Sequence, residues 1–273
     1  MKKLFILASF AVTALLQAQT NRFVYELKYR NSPDEDYRKE MMNLDITQKS
    51  VTFYDAKFAE YDSINKQAQS SVSRYSTKTD QVLERTPNSF KNNWYRDFFD
   101  YFVVKSNDEM TWKLFDETQD YNGYKLQKAT TNFGGRKWTA WFSKETQINE
   151  GPYKFRGLPG LIFIIEDDEK NFVYHLISNK KIAEDYDSKD FVETHYGKVA
   201  LTVTNKQFNK YLEDIYADPL RMFSQEIKDG KTAYFKNETV STIEELNSKK
   251  QMLKNGIKSR YIFIEKDKQP ILK

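Results

Sequence analysis

The sequence of 273 residues contains no cysteine. This absence excludes a disulfide framework, a thiol nucleophile and a zinc site built from thiolates. We also expect no lipidated cysteine of the kind that tethers exported bacterial proteins to a membrane. Stability must come from an ordinary hydrophobic core, for which a chain with 15% aromatic residues has enough material.

Histidine is almost as scarce, with only His175 and His195 in the chain. Neither lies at a spacing that would direct two ring nitrogens at one metal ion, so we interpret both as structural residues and expect no metal or cofactor. The motifs GxSxG, GxxxxGK[ST] and GxGxxG are also missing. Serine hydrolysis, nucleotide hydrolysis and dinucleotide redox chemistry therefore lack their usual signatures.

A strong excess of charge of one sign is missing too. The chain has 43 Lys and Arg against 39 Asp and Glu; without Lys2 and Lys3 the balance is 41 against 39. Because no long basic block is present, we expect no nucleic-acid partner.

The only long apolar run is at the N-terminus. Lys2 and Lys3 precede the apolar residues 4–16, and Ala18 offers a small residue for cleavage, so we predict that residues 1–18 are a signal peptide. The apolar run of roughly 13 residues is too short to cross a hydrocarbon core of about 30 Å. We therefore expect residues 19–273 to form a single exported domain without a transmembrane segment, located in the periplasm or outside the cell.

Apolar periodicity predicts an α+β fold. Alternating Phe23, Tyr25, Leu27 and Tyr29 are typical of a half-buried strand. Hairpins are predicted at 97–117, 124–143 and 161–178, helices at 56–73, 205–216, 219–227 and 241–254, and a final strand from residue 260. These elements favour a mainly antiparallel sheet with helices packed on it and a helical C-terminal part. A half-open barrel is one form that such a sheet could take.

Two features of the middle of the chain allow a functional or a structural interpretation. Trp138 and Trp141 could form an aromatic platform for a sugar or lipid, although aromatic residues on strands usually belong to the core. The acidic run 166–169 could form a weak calcium site, but it lacks the spacing of an EF-hand loop and fits a solvated hairpin turn better.

The most specific segment is a loop rich in glycine and proline, called here the motif loop. It comprises Gly151, Pro152, Tyr153, Lys154, Phe155, Arg156, Gly157, Leu158, Pro159, Gly160, Leu161 and Ile162. Residues 158–161 satisfy the pattern of a type II turn, with Pro at the second position and Gly at the third. Such a loop either packs down as a structural clasp or presents an interaction surface.

The motif loop resembles the GLPGLI family of exported Bacteroidetes proteins, named for the six residues that stand here at 157–162. The flanking sequences WTAWFS at 138–143 and GPYKF at 151–155 are also similar to that family, whereas Thr146-Gln147-Ile148 departs from its usual apolar residue and Pro. The resemblance implies an envelope or secreted protein of uncharacterised function. It assigns no reaction and no catalytic residue.

Three functions are compatible with the sequence. The leading hypothesis is a non-enzymatic envelope protein that binds lipid, peptide or another apolar ligand, or docks onto an outer-membrane protein. A lipid carrier would need an apolar and partly empty concave face. The alternatives are a hydrolase of glycan or peptide that uses two carboxylates about 5 to 9.5 Å apart in a cleft, and a structural or assembly factor in which the motif loop is a clasp.

Overall fold

The structure is a computed structural model that describes residues 19–68, 72–235, 238–260 and 262–273. The predicted signal peptide, residues 1–18, lies outside these residues.

β-strands are the most abundant regular secondary structure in the described chain. The strands are β1 (Thr20–Tyr29), β2 (Arg38–Ile46), β3 (Val51–Asp55), β4 (Val82–Arg85), β5 (Lys91–Phe98), β6 (Asp100–Asn107), β7 (Lys113–Tyr121), β8 (Tyr124–Phe133), β9 (Arg136–Ser143), β10 (Leu161–Asp167), β11 (Phe172–Ile182), β12 (Leu201–Val203), β13 (Ala233–Phe235) and β14 (Glu238–Val240). The pair β13 and β14 forms a small separate sheet, and the other twelve strands form one large sheet.

The helices are few and short. They are α1 (Lys57–Gln67), α2 (Lys189–Val192), α3 (Asn205–Ala217), α4 (Arg221–Lys228), α5 (Ile243–Ser248) and α6 (Lys250–Ser259), followed by a 3₁₀ turn at Lys266–Lys268. In the part of the chain that the structure describes, no helix combines the length and apolarity needed to span a membrane.

The large sheet has the strand order β12-β6-β5-β4-β3-β2-β1-β11-β10-β9-β8-β7. All its neighbouring pairs are antiparallel except β12 and β6, which run parallel. The strands β6 and β7 follow one another in sequence but lie near opposite ends of the sheet. Since only residues 108–112 connect them, Asn107 and Lys113 can be no more than about 22 Å apart. The sheet therefore curls strongly along its length.

The predicted α+β class is wrong. The molecule is dominated by one large mixed sheet, its helices have between 4 and 13 residues, and the sheet remains open, because its end strands β12 and β7 do not pair. The half-open barrel with helices packed on it is therefore also overturned. The physical reason is that periodicity identifies strands one at a time, whereas sheet size, strand direction and closure depend on long-range pairing.

The local predictions have mixed outcomes. The hairpins 124–143 and 161–178 are confirmed by the pairs β8–β9 and β10–β11. The hairpin 97–117 is wrong, because β6 pairs with β5 instead of β7. The predicted final strand is replaced by irregular chain at residues 262–265.

The C-terminal helices are confirmed in position. Thr204 caps α3 and Thr242 caps α5, each in a reciprocal capping box with the residue three positions later. The segment predicted as one helix over 241–254 is split into α5 and α6 at Lys249.

The motif loop fills the interior of the curled sheet. All its residues except Gly157 and Pro159 are buried, and the side chains of Tyr153 and Phe155 have no exposed surface. The rings of Trp138 and Phe155 lie 4.5 Å apart within the main hydrophobic cluster. The loop therefore acts as part of the core.

A buried ion cluster holds the motif loop in place. The Nζ atom of Lys154 lies 2.7 Å from Oε1 of Glu265 and 3.2 Å from Oδ2 of Asp108, and the side chain of Lys154 is fully buried. The Tyr153 hydroxyl also donates to Glu265, at 2.6 Å. Lys268 completes the cluster by pairing with both carboxylates.

The electrostatics of this cluster favour the charged carboxylates. Burial alone would raise the pKa of Asp108, but Lys154, the hydroxyl of Ser106 and Lys268 outweigh burial and hold that pKa at about 2. The same two lysines lower the pKa of Glu265 against the effect of burial. The cluster thus joins the connection between β6 and β7, the motif loop and the C-terminal segment.

A second group of buried charged side chains fixes the start of the loop. Glu150 accepts hydrogen bonds from Arg85 on β4 and from Nε of Arg156, the latter at 3.1 Å. Arg85 also donates to the carbonyl oxygen of Tyr153 at 2.9 Å, and Nε1 of Trp112 donates to the carbonyl oxygen of Arg156 at 2.9 Å. The loop is therefore bonded to β4 and to the connection between β6 and β7.

The bend at Gly160 differs from the predicted type II turn. Its φ is +152°, whereas the third residue of a type II turn has a φ of about +80°. The amide of Leu161 donates to the carbonyl oxygen of Thr146, at 3.1 Å. A Cβ atom on residue 160 would lie 2.0 Å from the carbonyl oxygen of Ser143, so glycine is required here for close backbone contact.

We predict that Gly160→Ala lowers the free energy of unfolding by about 3 kcal/mol, because neither the backbone of Ser143 nor the φ angle accommodates a side chain. Urea unfolding measures the loss. The control is Gly230→Ala, at a φ of +77° with open space around it, which should cost only about 1 kcal/mol. An unchanged urea midpoint for Gly160→Ala would contradict the clasp role of the loop.

Replacing Lys154 should be more damaging than replacing a surface lysine in an ion pair of the same length. Lys154→Met leaves two buried carboxylates short of a partner and should cost about 3 to 5 kcal/mol. Lys128→Met removes the surface pair with Glu117, also 2.7 Å long, and should cost less than about 1 kcal/mol. Equal losses in urea unfolding would refute the dependence of the fold on the buried cluster.

Candidate functional site

The candidate site is a groove at the tip of the β7–β8 hairpin, called here the tyrosine groove, with a cavity volume of about 110 Å³. Its lining residues come from β1, the β7–β8 hairpin, the β9–β10 connection and strands β10 and β11. They are Phe23, Tyr121, Asn122, Tyr124, Thr146, Leu161, Phe163, Leu176, Ile177, Ser178 and Asn179.

A tight turn builds one wall of the groove. Asn122 and Gly123 have φ values of +50° and +84°, as expected for the two-residue Asn-Gly turn that matches strand twist. The turn pairs Tyr121 with Tyr124 directly across the hairpin, which places both rings on one face. The hydroxyl of Tyr121 donates to the carbonyl oxygen of Leu176 at 3.1 Å and ties the tip to β11.

Two β-bulges build the floor. The register of β10 on β9 shifts between Ile162 and Ile164, which leaves Phe163 without a partner residue. The register of β11 on β1 shifts as well and leaves Ile177 unpaired between Leu176 and Ser178. Bulges redirect side chains and are enriched next to functional sites. Here both bulged residues point at the same groove.

The aromatic rings form a compact group. The ring centres of Tyr124 and Phe163 lie 4.8 Å apart, and those of Tyr121 and Phe163 lie 6.4 Å apart in an edge-to-face arrangement. Burial raises the pKa of Tyr121, with a smaller contribution from the charge of Glu26. Tyr121 therefore stays a neutral hydrogen-bond donor at physiological pH. Tyr124 is 37% exposed, so its ring is available to a ligand.

No charged side chain lines the tyrosine groove among the described residues, although 30% of the whole chain is charged. A larger opening of about 700 Å³ near α1 has the opposite character. Its charged lining residues are Arg22, Glu60, Asp62, Lys66, Lys180 and Glu184. The neutral lining thus distinguishes the tyrosine groove from this larger opening.

The motif loop reaches this groove only at its end. Leu161 lines the groove from within, and Thr146 contributes from the start of the β9–β10 connection. Residues 151–156 lie inside the curled sheet and away from the groove lining. The role of the loop as an interaction surface stays a prediction, which its burial does not favour.

The two candidate platform residues are not brought together. Trp138 is fully buried on β9, whereas Trp141 is partly exposed. Because they are three positions apart on a strand, their side chains project from opposite faces. Trp141 instead lies beside Lys128, whose Nζ atom is 5.8 Å from its ring centre.

The acidic run does not gather into a metal site. Asp167 binds Arg136 at 2.7 Å and accepts from the amide of Phe172 at 2.8 Å, and Glu169 pairs with Lys266. Across the described ranges, no group of three His, Asp or Glu side chains could hold a metal ion.

Both histidines lie beside aromatic rings. His195 is buried, stacks on Tyr101 and lies 3.5 Å from Asp97. The ring of His175 lies 6.3 Å from that of Tyr121.

The buried carboxylates with a raised pKa lie apart from one another and have their own partners. Burial raises the pKa of Asp55 and of Asp80, but Asp55 accepts from Thr77 at 2.7 Å and Asp80 is paired with Arg96. Burial, and then the charge of Glu193, raise the pKa of Glu84.

The surroundings of Glu84 do not form a two-carboxylate cleft. The adjacent shallow opening is lined by Glu193 but not by Glu84. Asp55, Asp80 and Glu84 therefore do not supply such a pair.

Sequence reasoning missed the tyrosine groove. The available signal was Tyr121-Asn122-Gly123-Tyr124, since Asn-Gly between strand residues is a strong indicator of a hairpin. No sequence signal locates the bulges at Phe163 and Ile177, because a bulge is defined by its partner strand.

Comparison with known proteins adds a partial family match. Residues 102–164, which span β6 to β10, match the model of a family described as a protein of unknown function (Porph_ging). A comparison with curated proteins finds no match.

Two solved structures of PNGF-II, in space groups C2 and P21, align with this chain at TM-scores of 0.48 each and sequence identities of 16% and 15%. The alignments cover 71% of this chain and 32% and 33% of those structures. The chain thus spans about a third of their length.

We predict that Tyr121→Phe loosens the hairpin tip, because it removes the hydroxyl that holds β7–β8 onto β11. The loss of one hydrogen bond should cost about 1 kcal/mol, and amide hydrogen exchange at residues 120–125 should become faster. Tyr37→Phe is the control, since its hydroxyl donates to Lys170 at a different place. Unchanged exchange at the tip in Tyr121→Phe would show that the hydroxyl does not hold it.

Proposed function

We propose that this protein is an exported, non-enzymatic binding protein of the GLPGLI family, and that the tyrosine groove holds an uncharged group of its ligand. The observation that carries the proposal is the neutral, aromatic lining of the groove in a chain that is otherwise rich in charge. Membership of the GLPGLI family rests on the motif at 157–162, and export rests on the signal-peptide pattern at 1–18.

The rigidity of the surroundings supports binding at this place. The floor of the groove belongs to a sheet whose interior is filled by the motif loop and locked by buried ion pairs. A binding site on such a scaffold is already formed before the ligand arrives, which lowers the entropic cost of association. The hairpin tip adds one exposed wall.

The size and chemistry of the cavities do not favour the alternatives. A lipid carrier needs an apolar cavity able to cover a long chain, whereas the tyrosine groove has room for one ring-sized group, and the larger opening near α1 is charged. A carboxylate hydrolase needs two acids in one cleft, and the lining of the tyrosine groove contains none. Binding of an uncharged group is the function that fits.

Matched ring compounds that differ only in charge test this proposal. We expect cyclohexanemethanol to give saturation-transfer NMR signals with residues 19–273, and cyclohexanecarboxylate and cyclohexylmethylammonium to give much weaker ones, because a charged group loses hydration in the groove without gaining a partner. Tyr124→Ala should abolish the signal of the neutral compound. Tyr234→Ala, at a tyrosine that is 76% exposed and remote from the groove lining, should leave it unchanged.

Two outcomes would overturn the proposal. One is equal binding of all three compounds. The other is a saturation-transfer signal of cyclohexanemethanol that is as strong with Tyr124→Ala as with the unchanged protein. Thermal unfolding of each variant checks that the fold is intact.

A further inference from the structure

From the rim of the tyrosine groove we infer that its ligand is a neutral saccharide, with one pyranose ring packed on Tyr124 and its hydroxyl groups bound by Asn122, Ser178 and Asn179. This inference rests on the proposed function and names the substrate class of the same site.

The rim supplies hydrogen-bonding groups that are not used within the protein. The side chains of Asn122, Thr146, Ser178 and Asn179 make no hydrogen bond to any other described residue. Together they provide amide donors, amide acceptors and hydroxyl groups that act as both. A sugar hydroxyl likewise donates and accepts, so this set matches a polyhydroxylated ring better than a purely apolar one.

The floor supplies the complementary apolar contact. The partly exposed ring of Tyr124 lies next to that of Phe163, with 4.8 Å between their centres. A pyranose ring has one face that carries mostly C–H groups, which suits the negative face of an aromatic ring. The two rings are inclined by 50° to each other, so the exposed face of Tyr124 offers the apolar contact. The neutral groups of the rim offer the hydrogen bonds, and together they fit the two-sided chemistry of a sugar.

The volume and the charge of the groove restrict the class of ligand further. A cavity of about 110 Å³ is smaller than the roughly 300 to 1,000 Å³ of a site for a drug-sized ligand, so it accommodates a single sugar unit. Because Asn122, Ser178 and Asn179 are exposed, adjoining sugar units would extend into solvent. A neutral lining offers no counter-ion to a uronic acid, a sialic acid or a phosphorylated sugar, so the inference is confined to neutral saccharides.

The experiment is a binding screen of residues 19–273 on an array of neutral oligosaccharides built from glucose, galactose, mannose and N-acetylglucosamine, with glucuronate oligosaccharides as acidic counterparts. Titration calorimetry follows with the best neutral oligosaccharide. We expect Tyr124→Ala to weaken binding about tenfold or more and Asn179→Ala to weaken it about threefold to tenfold. Tyr234→Ala, which alters an exposed tyrosine outside the groove, should leave the affinity unchanged.

Asn179→Ala keeps the test valid if Tyr124→Ala proves unstable, since Asn179 is exposed and its side chain makes no described internal hydrogen bond. Failure of every saccharide while cyclohexanemethanol still binds through Tyr124 would overturn the saccharide inference and leave the proposed function standing. Failure of both kinds of compound would overturn both. Stronger binding of the glucuronate oligosaccharides, or saccharide binding that neither groove variant weakens, would also overturn the inference.

Discussion

The buried ammonium group of Lys154 is the constraint on which this fold depends. It lies in a loop between two neighbouring strands, yet its partners Asp108 and Glu265 belong to the connection between β6 and β7 and to the C-terminal segment. An unpaired buried ammonium would be very costly, so these three distant segments must meet around it. Their meeting fixes the motif loop inside the curl that the short connection between β6 and β7 imposes on the sheet.

The filled interior determines where binding can occur. The concave side of the sheet is occupied by the chain's own loop, and the rings of Tyr153 and Phe155 take the place that a carried ligand would need. The proposed site lies instead at a hairpin tip, where bulges at Phe163 and Ile177 direct apolar side chains to a neutral rim. The β9–β10 connection contributes to both the core and the tyrosine groove, since it places Lys154 in the core and Thr146 at the groove.

Local elements were predictable because their signals are local. The helix at 205–216 and the two confirmed hairpins have signals that act over a few residues, so the sequence alone predicts them. The predicted hairpin at 97–117 was wrong because β6 and β7 are adjacent in sequence but pair with different strands. The predicted type II turn at Gly160 was wrong for a related reason, since the carbonyl oxygen of Ser143 constrains residue 160 from outside the turn.

The sequence by itself determined the absence of cysteine chemistry, the strand-forming segments, the positions of the C-terminal helices and the importance of the glycines in the motif loop, because composition and short-range spacing carry that information. Only the tertiary structure decided that Lys154 and Arg156 are buried, that Trp138 and Trp141 face opposite ways, and that Tyr124 meets Phe163. These facts depend on strand order and register. Pairing energies between residues far apart in sequence set both, and a one-residue shift in register exchanges the two faces of a strand.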